Sequence, residues 1–376
     1  MNDIVQYFDV PEAFDAKLSA IAGVLVTPSS VEDLEGLKVV MFRVNDQRWS
    51  GKENTDESSM FFQKLSELHL SAELTSGAAI LGTFKNGATL GDTEAGLTEV
   101  FQFCIQKRII PVVIASSKQI LRSVYNAFKA VELIVSLTSI DKEINLGVEE
   151  EPALIGEIIK EQPNYLFNYS NLGFQTYYAP AQEVELSEAL YFDAHRLGSI
   201  RGNVSSSEPL IRSSELIHLS LEAIKSSDFR SVPSEEPNGF YAEEVCQMMR
   251  YTGLNEKLRA LVISEYQEIG SISDSKLLAQ MLWCFLDGYI HRVKELPGQP
   301  AENFLRYSVW LKGDQYEVVF YKSLKTDRWW MEVPIPPNYV NRYLKHHLLP
   351  CSYEDYVVAT TDEIPDRWWR AYQKML

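Results

Sequence analysis

Two short segments of this chain carry side chains of the kind that hold metal ions. In Leu190-Tyr191-Phe192-Asp193-Ala194-His195 an apolar run ends in a carboxylate and an imidazole one residue apart. In the second, Leu133-Ile134-Val135-Ser136-Leu137 leads into Asp141-Lys142-Glu143-Ile144-Asn145, which mixes two acids, a base and an amide. Carboxylate oxygens and imidazole nitrogens suit a divalent ion such as Mn²⁺ or Zn²⁺. Such an ion lowers the pKa of a bound water and so supplies a nucleophile near neutral pH. Each apolar run reads as a buried strand, and in an open α/β sheet chemistry sits at the carboxyl ends of strands.

The elements that must position these groups follow from periodicity. Apolar, β-branched runs at 39–42, 78–81, 109–114, 133–137, 165–169, 189–192 and 259–263 read as strands. Stretches with helical spacing at 60–70, 93–107, 120–130, 154–160, 213–224, 241–251 and 273–292 alternate with them. This alternation predicts an α/β fold: a three-layer α/β/α sandwich around a mostly parallel sheet of about eight strands. Residues 1–36 read as a polar lead-in in which Pro11 can start a helix, and 37–296 as the α/β domain. The Pro-Gly-Gln-Pro stretch at 297–300 reads as a linker. Beyond it, 301–376 predicts a small α+β extension. There Tyr307, Val309 and Leu311, then Tyr316, Val318 and Phe320, alternate around Gly313-Asp314 as in a β-hairpin. Trp329, Trp330, Trp368 and Trp369 make this extension aromatic. Exposed, they would form a protein-binding surface; buried, they would pack the extension onto the domain.

Composition excludes several classes. A net charge of −17 and a pI of about 4.9 repel phosphate backbones, so nucleic acid and anionic membrane are poor partners. The four cysteines, Cys104, Cys246, Cys284 and Cys351, are far apart, which fits neither a zinc motif nor a disulfide scaffold. The chain shows no basic leader and no apolar run of membrane-spanning length, and it reads as cytoplasmic. Ser116-Ser117 lacks evident triad partners, and Gly87-Ala88-Thr89-Leu90-Gly91 lacks the lysine of a phosphate loop. His346 and His347 are adjacent and do not share a helix face.

Three segments in order, Pro111-Val112-Val113-Ile114-Ala115-Ser116-Ser117-Lys118-Gln119, then Asp141 to Asn145, then Phe192 to His195, resemble the arginase–agmatinase–formimidoylglutamase family, the ureohydrolases. The family patterns are Gly-Gly-Asp-His-Ser, Asp-Ala-His-Ala-Asp and Ser-Phe-Asp-Val-Asp. They hold two manganese ions whose bridging hydroxide attacks a guanidino or formimidoyl carbon. Leu261-Val262-Ile263-Ser264-Glu265 is similar to the late strand that presents a substrate-binding glutamate. The resemblance spans residues 36–290 and implies an arginase-like fold and a homo-oligomer. The tail looks like an extension on a divergent formimidoylglutamase-like branch.

The departures bear on chemistry. By the resemblance, one ion would be held by the positions of Lys118, Asp141, Asn145 and Asp193. A protonated lysine has no lone pair, so that ion is lost. The other would take Asp141, Glu143, Asp193 and His195, all able to ligate. One outcome is a mononuclear centre hydrolysing a small guanidino or formimidoyl compound, with Asp141, Asp193, Glu265 and Lys118 as the catalytic set. Glu265 would then meet the substrate cation. A second outcome holds no ion: Lys118 pairs with Asp141 and Asp193, His195 caps a turn, and the protein is a pseudoenzyme scaffold working through 301–376. A third is an active formimidoylglutamase-like hydrolase with unusual ligands. The family's proton-shuttling histidine has no counterpart in 152–156.

Overall fold

Short, fully buried apolar runs build the central sheet. In the computed structural model, residues 4–9, 34–50, 60–69, 77–148, 151–297, 301–313, 315–337, 344 and 346–376 are described. The strands are β1 (Phe8–Asp9), β2 (Val39–Val44), β3 (Ala78–Phe84), β4 (Ile110–Ala115), β5 (Val135–Ile140), the small hairpin β6 (Gly147–Val148) and β7 (Glu151–Pro152), β8 (Leu166–Phe174), β9 (Asp193–Arg196), β10 (Leu216–Ser220) and β11 (Ala260–Ser264). The main sheet has the order β1-β3-β2-β4-β11-β10-β5-β8-β9. Its eight strands from β3 to β9 pair in parallel, and two-residue β1 adds an antiparallel edge. Every residue of β2, β4, β5, β10 and β11 is buried, as a parallel sheet covered on both faces requires.

Helices α1 (Met60–Ser66), α2 (Leu90–Lys107), α3 (Ile120–Ala130), α4 (Leu154–Lys160), α5 (Ala181–Ala189), α6 (Leu197–Gly202), α7 (Glu208–Arg212), α8 (Ala242–Leu254) and α9 (Ile272–Ile290) supply the outer layers. Phe61 of α1, Met248 of α8 and Phe285 of α9 pack on one face of the sheet with Ile217 and Leu261. Leu97 and Phe101 of α2, Phe128 of α3 and Ile155 of α4 pack on the other with Val113 and Val262. Helices α8 and α9 touch backbone to backbone: a Cβ on Gly253 would lie 2.0 Å from the Phe285 carbonyl oxygen. Among the described residues no helix is long and apolar enough to cross a membrane.

Two elements differ from their sequence reading. The run 189–192 is not a strand: α5 ends at Ala189, Tyr191 turns with φ +57°, and β9 starts only at Asp193. Asp193 therefore opens its strand rather than ending it. Residues 213–224 hold no long helix but β10 and a short 3-10 turn, Leu221–Ala223. A five-residue apolar run containing one histidine fits either period, and burial between β5 and β11 decides for strand.

The C-terminal part forms a four-stranded antiparallel sheet of β12 (Phe304–Leu311), β13 (Tyr316–Ser323), β14 (Trp329–Glu332) and β15 (Leu348–Cys351), with α10 (Tyr353–Thr360) and α11 (Asp366–Met375). The hairpin closes at Leu311 opposite Tyr316. Its Asp314, residues 298–300 of the linker and the lead-in position Pro11 lie outside the described residues. Trp329, Trp330 and Trp368 are 7%, 3% and 1% exposed, whereas Trp369 is 37% exposed. Three of the four tryptophans thus fill interior space rather than a binding surface. The Arg212 guanidinium stacks 4.4 Å from the Trp330 ring and donates to the Trp329 carbonyl at 3.1 Å, which ties this sheet to the α/β layers.

Candidate functional site

Four neighbouring strands, β4, β11, β10 and β5, end side by side, and each delivers a charged group just past its carboxyl end. The turn after β4 brings Lys118. Glu265 follows β11 and Glu222 follows β10, and Asp141 follows β5 directly. The Lys118 ammonium lies 2.9 Å from Glu143 Oε2 and 3.8 Å from Asp141 Oδ2. Its backbone N–H donates to Glu265 Oε1 at 2.7 Å. Asp141 is fully buried. Its Oδ2 accepts from Asn145 Nδ2 at 3.0 Å and its Oδ1 from the Glu143 N–H at 3.3 Å. Glu265 and Asn145 both hold φ near +60°, at 63° and 60°. Left-handed backbone in a non-glycine residue costs energy and collects at functional sites.

Burial and mutual charge set the ionisation here. Burial works against the Lys118 charge, but Asp141 and Glu143 outweigh it and hold the ammonium protonated well above the usual lysine range. Burial pushes the Asp141 carboxyl up to about 6, with Lys118 opposing the shift. It also pushes Glu265 up to about 7, against the Lys118 N–H. Beneath the site, His218 bridges three strands. Its Nδ1 lies 2.7 Å from Ser139 Oγ on β5 and its Nε2 2.8 Å from Ser264 Oγ on β11. Burial, then the Lys118 charge, lowers this imidazole to about 3 and keeps it neutral.

A second lysine continues the pattern. The buried Lys142 ammonium sits 3.0 Å from Glu222 Oε2 and 2.5 Å from Glu236 Oε1. Tyr178 Oη donates to Glu236 Oε2 at 2.6 Å, and its ring lies 5.2 Å from the same ammonium. Two ammonium groups thus sit among carboxylates across the strand ends, Lys118 with Glu265, Asp141 and Glu143, and Lys142 with Glu222 and Glu236.

The structure brings together Lys118, Asp141, Glu143 and Glu265. It does not bring Asp193 or His195 to them. Asp193 is level with Ser170 and thus with Thr138, while Asp141 lies three residues further along β5. That offset is about 10 Å along the strands, plus two strand spacings of about 4.8 Å. Asp193 instead accepts from Ser170 Oγ at 3.2 Å and Asn168 Nδ2 at 3.3 Å, beside the positive charges of Lys374 and Arg367. His195 shares that neighbourhood with Arg367 and Arg370. Lys118 accordingly pairs with Asp141 and Glu143 and not with Asp193. The strand end that completes the row is β10, so Ser220 and Glu222 stand where the sequence pointed to Asp193 and His195. The sequence alone assigns no role to Glu222, Glu236 or Tyr178, and Lys142 enters it only as the base within the Asp141 segment.

Among the described residues no three His, Cys, Asp or Glu side chains converge as metal ligands would. With Lys118 on Asp141 and Glu143, and the Asn145 amide on Asp141, the residues present do not fit a divalent ion.

The fold is arginase-like. A formiminoglutamase from Trypanosoma cruzi solved with manganese matches at a TM-score of 0.60 and 14% identity, covering 73% of this chain and 98% of that one. The formimidoylglutamase of Bacillus subtilis matches at a TM-score of 0.60 and 14% identity, over 76% of this chain and 95% of its own. The agmatine ureohydrolase of Thermoplasma volcanium matches at 0.53 and 15% identity, over 73% and 97%. At such identity the likeness shows the shared fold. No protein-family profile and no curated protein matches the sequence.

Proposed function

We propose that this arginase-fold protein does not hydrolyse C–N bonds through a metal-bound hydroxide and acts instead as a pseudoenzyme, a binding scaffold on a former hydrolase frame. One observation carries the reading: the Lys118 ammonium rests between Glu143 at 2.9 Å and Asp141 at 3.8 Å, where the resemblance puts a histidine ligand. An ammonium offers donors and no lone pair, so it satisfies these carboxylates while closing the place to an ion. The mononuclear alternative needs Asp193 and His195 beside Asp141, and their position in β9 argues against it. For the scaffold role, the exposed Trp310 on edge strand β12 offers a contact point in place of the buried tryptophans.

The test is metal analysis and turnover on one preparation. After incubation with Mn²⁺ and gel filtration, the protein is expected to retain far less than one ion per chain. It is expected to release neither urea from agmatine or arginine nor formamide from formimidoylglutamate. Near-stoichiometric manganese together with manganese-dependent product release would overturn the proposal.

A further inference from the structure

At the opposite end of the sheet from the Lys118 site, helix α11 lies across the amino ends of β8 and β9. Arg367, Arg370 and Lys374 fall at i, i+3 and i+7 and so share one helix face. With Lys257 they line a small cavity whose wall carries one carboxylate, Asp193. The cavity holds about 30 Å³, room for two waters or one compact oxyanion.

The groups around it leave positive charge over. Arg370 Nε is paired with Asp366 at 2.7 Å, and Lys257 is offset by Glu215, whose Oε2 accepts from the Ser136 N–H at 2.8 Å. Even with these two acids counted beside Asp193, four cations face three carboxylates among the described residues. The Arg367 Nη1 donor reaches the Pro350 carbonyl at 2.6 Å, but its buried Nε has no hydrogen-bond partner among the described residues. Lys374 donates to Asn168 Oδ1, and Arg370 Nη1 donates to the Phe192 carbonyl at 2.5 Å. Burial, with Arg370 and Arg367 close by, lowers Lys374 to about 8 against the pull of Asp193. A chain of net charge −17 has gathered cations around one small cavity, and one of its lining residues, Arg367, keeps a buried donor with no partner among the described residues.

We propose that this cavity binds one compact inorganic oxyanion, phosphate or sulfate, held by Arg367, Lys257 and Lys374. The ion neutralises the cluster, meets the Arg367 Nε donor and staples α11 to the sheet. This site is independent of the Lys118 reading and stands or falls separately.

Calorimetric titration of the full chain with phosphate and with sulfate, against chloride at matched ionic strength, tests it. Saturable one-to-one binding is expected for the two oxyanions, with a rise in melting temperature that chloride does not reproduce. Lys374→Met is expected to weaken phosphate binding at least about tenfold. Asp193→Asn keeps the acceptor oxygen but removes the competing charge, and it is expected to tighten binding about fivefold or more. Its opposite sign separates a binding site from general damage to the fold. An equal response to chloride, or an Asp193→Asn variant that binds phosphate no tighter than the parent chain, would overturn the proposal.

Discussion

Replacing Lys118 with methionine keeps the apolar stem and removes the ammonium, which isolates the charge. The Asp141 carboxylate that loses its partner is fully buried and 3.8 Å away. At an effective dielectric of about 20, that separation corresponds to about 4 kcal/mol of attraction. Glu143 is nearer but 37% exposed, and solvent screening reduces its share to about 1 kcal/mol or less. Part of the sum is offset because the ammonium no longer needs desolvating, so a net loss of about 3 kcal/mol at pH 8 is expected. The loss must depend on pH. Asp141 titrates near 6 in the folded protein, above its ordinary value, so the native state holds the extra proton between about pH 4 and 6 and stability falls as pH rises through that window. Without Lys118 the folded value climbs further, and the fall deepens and extends past neutrality. Urea unfolding followed by tryptophan fluorescence at pH 5 and pH 8 measures this. The two proteins should lie close at pH 5 and diverge at pH 8. Equal losses at both pH values, or none at pH 8, would refute the charge argument.

Two further outcomes follow from His218 and from the contact between α8 and α9. His218, held between two serines and lowered to about 3, should keep an unchanging ring resonance by NMR down to about pH 4. Because its folded value lies below the unfolded one, its contribution to stability is lost as pH falls from about 6.5 toward 3; a midpoint near 6 would contradict this. Gly253→Ala should cost about 3 kcal/mol in urea unfolding, since its Cβ would meet the Phe285 carbonyl oxygen at 2.0 Å and α9 must move. Gly198→Ala, with nothing within 4 Å, is the control and should be neutral or slightly stabilising.

Much of the sheet was legible because buried parallel strands are written as β-branched runs. Val112-Val113-Ile114 and Leu261-Val262-Ile263 read directly, and with them the places of Lys118 and Glu265. Asp193 and His195 were misread for a physical reason. Leu190-Tyr191-Phe192 is as apolar as a strand but serves as the turn that leaves α5, and which end of β9 faces the site is fixed by register with β8, a tertiary fact. Strand β10 escaped because His218 and Ser220 interrupt its apolar run, although both are buried. The Lys142 network joins residues up to 94 positions apart, and no local pattern announces such a meeting.

The cation beside Asp141 is covalently attached, and that changes how the site relates to its surroundings. An ion at such a place is in exchange with a free pool; its occupancy follows supply and a chelator can strip it. The Lys118 ammonium has no pool. Its local concentration is set by the turn between β4 and α3 and stays the same in any medium that leaves the chain folded. On the metal-free reading proposed above, the shape of the strand ends is expected to be independent of metal availability, so that starvation or chelation leaves it unchanged.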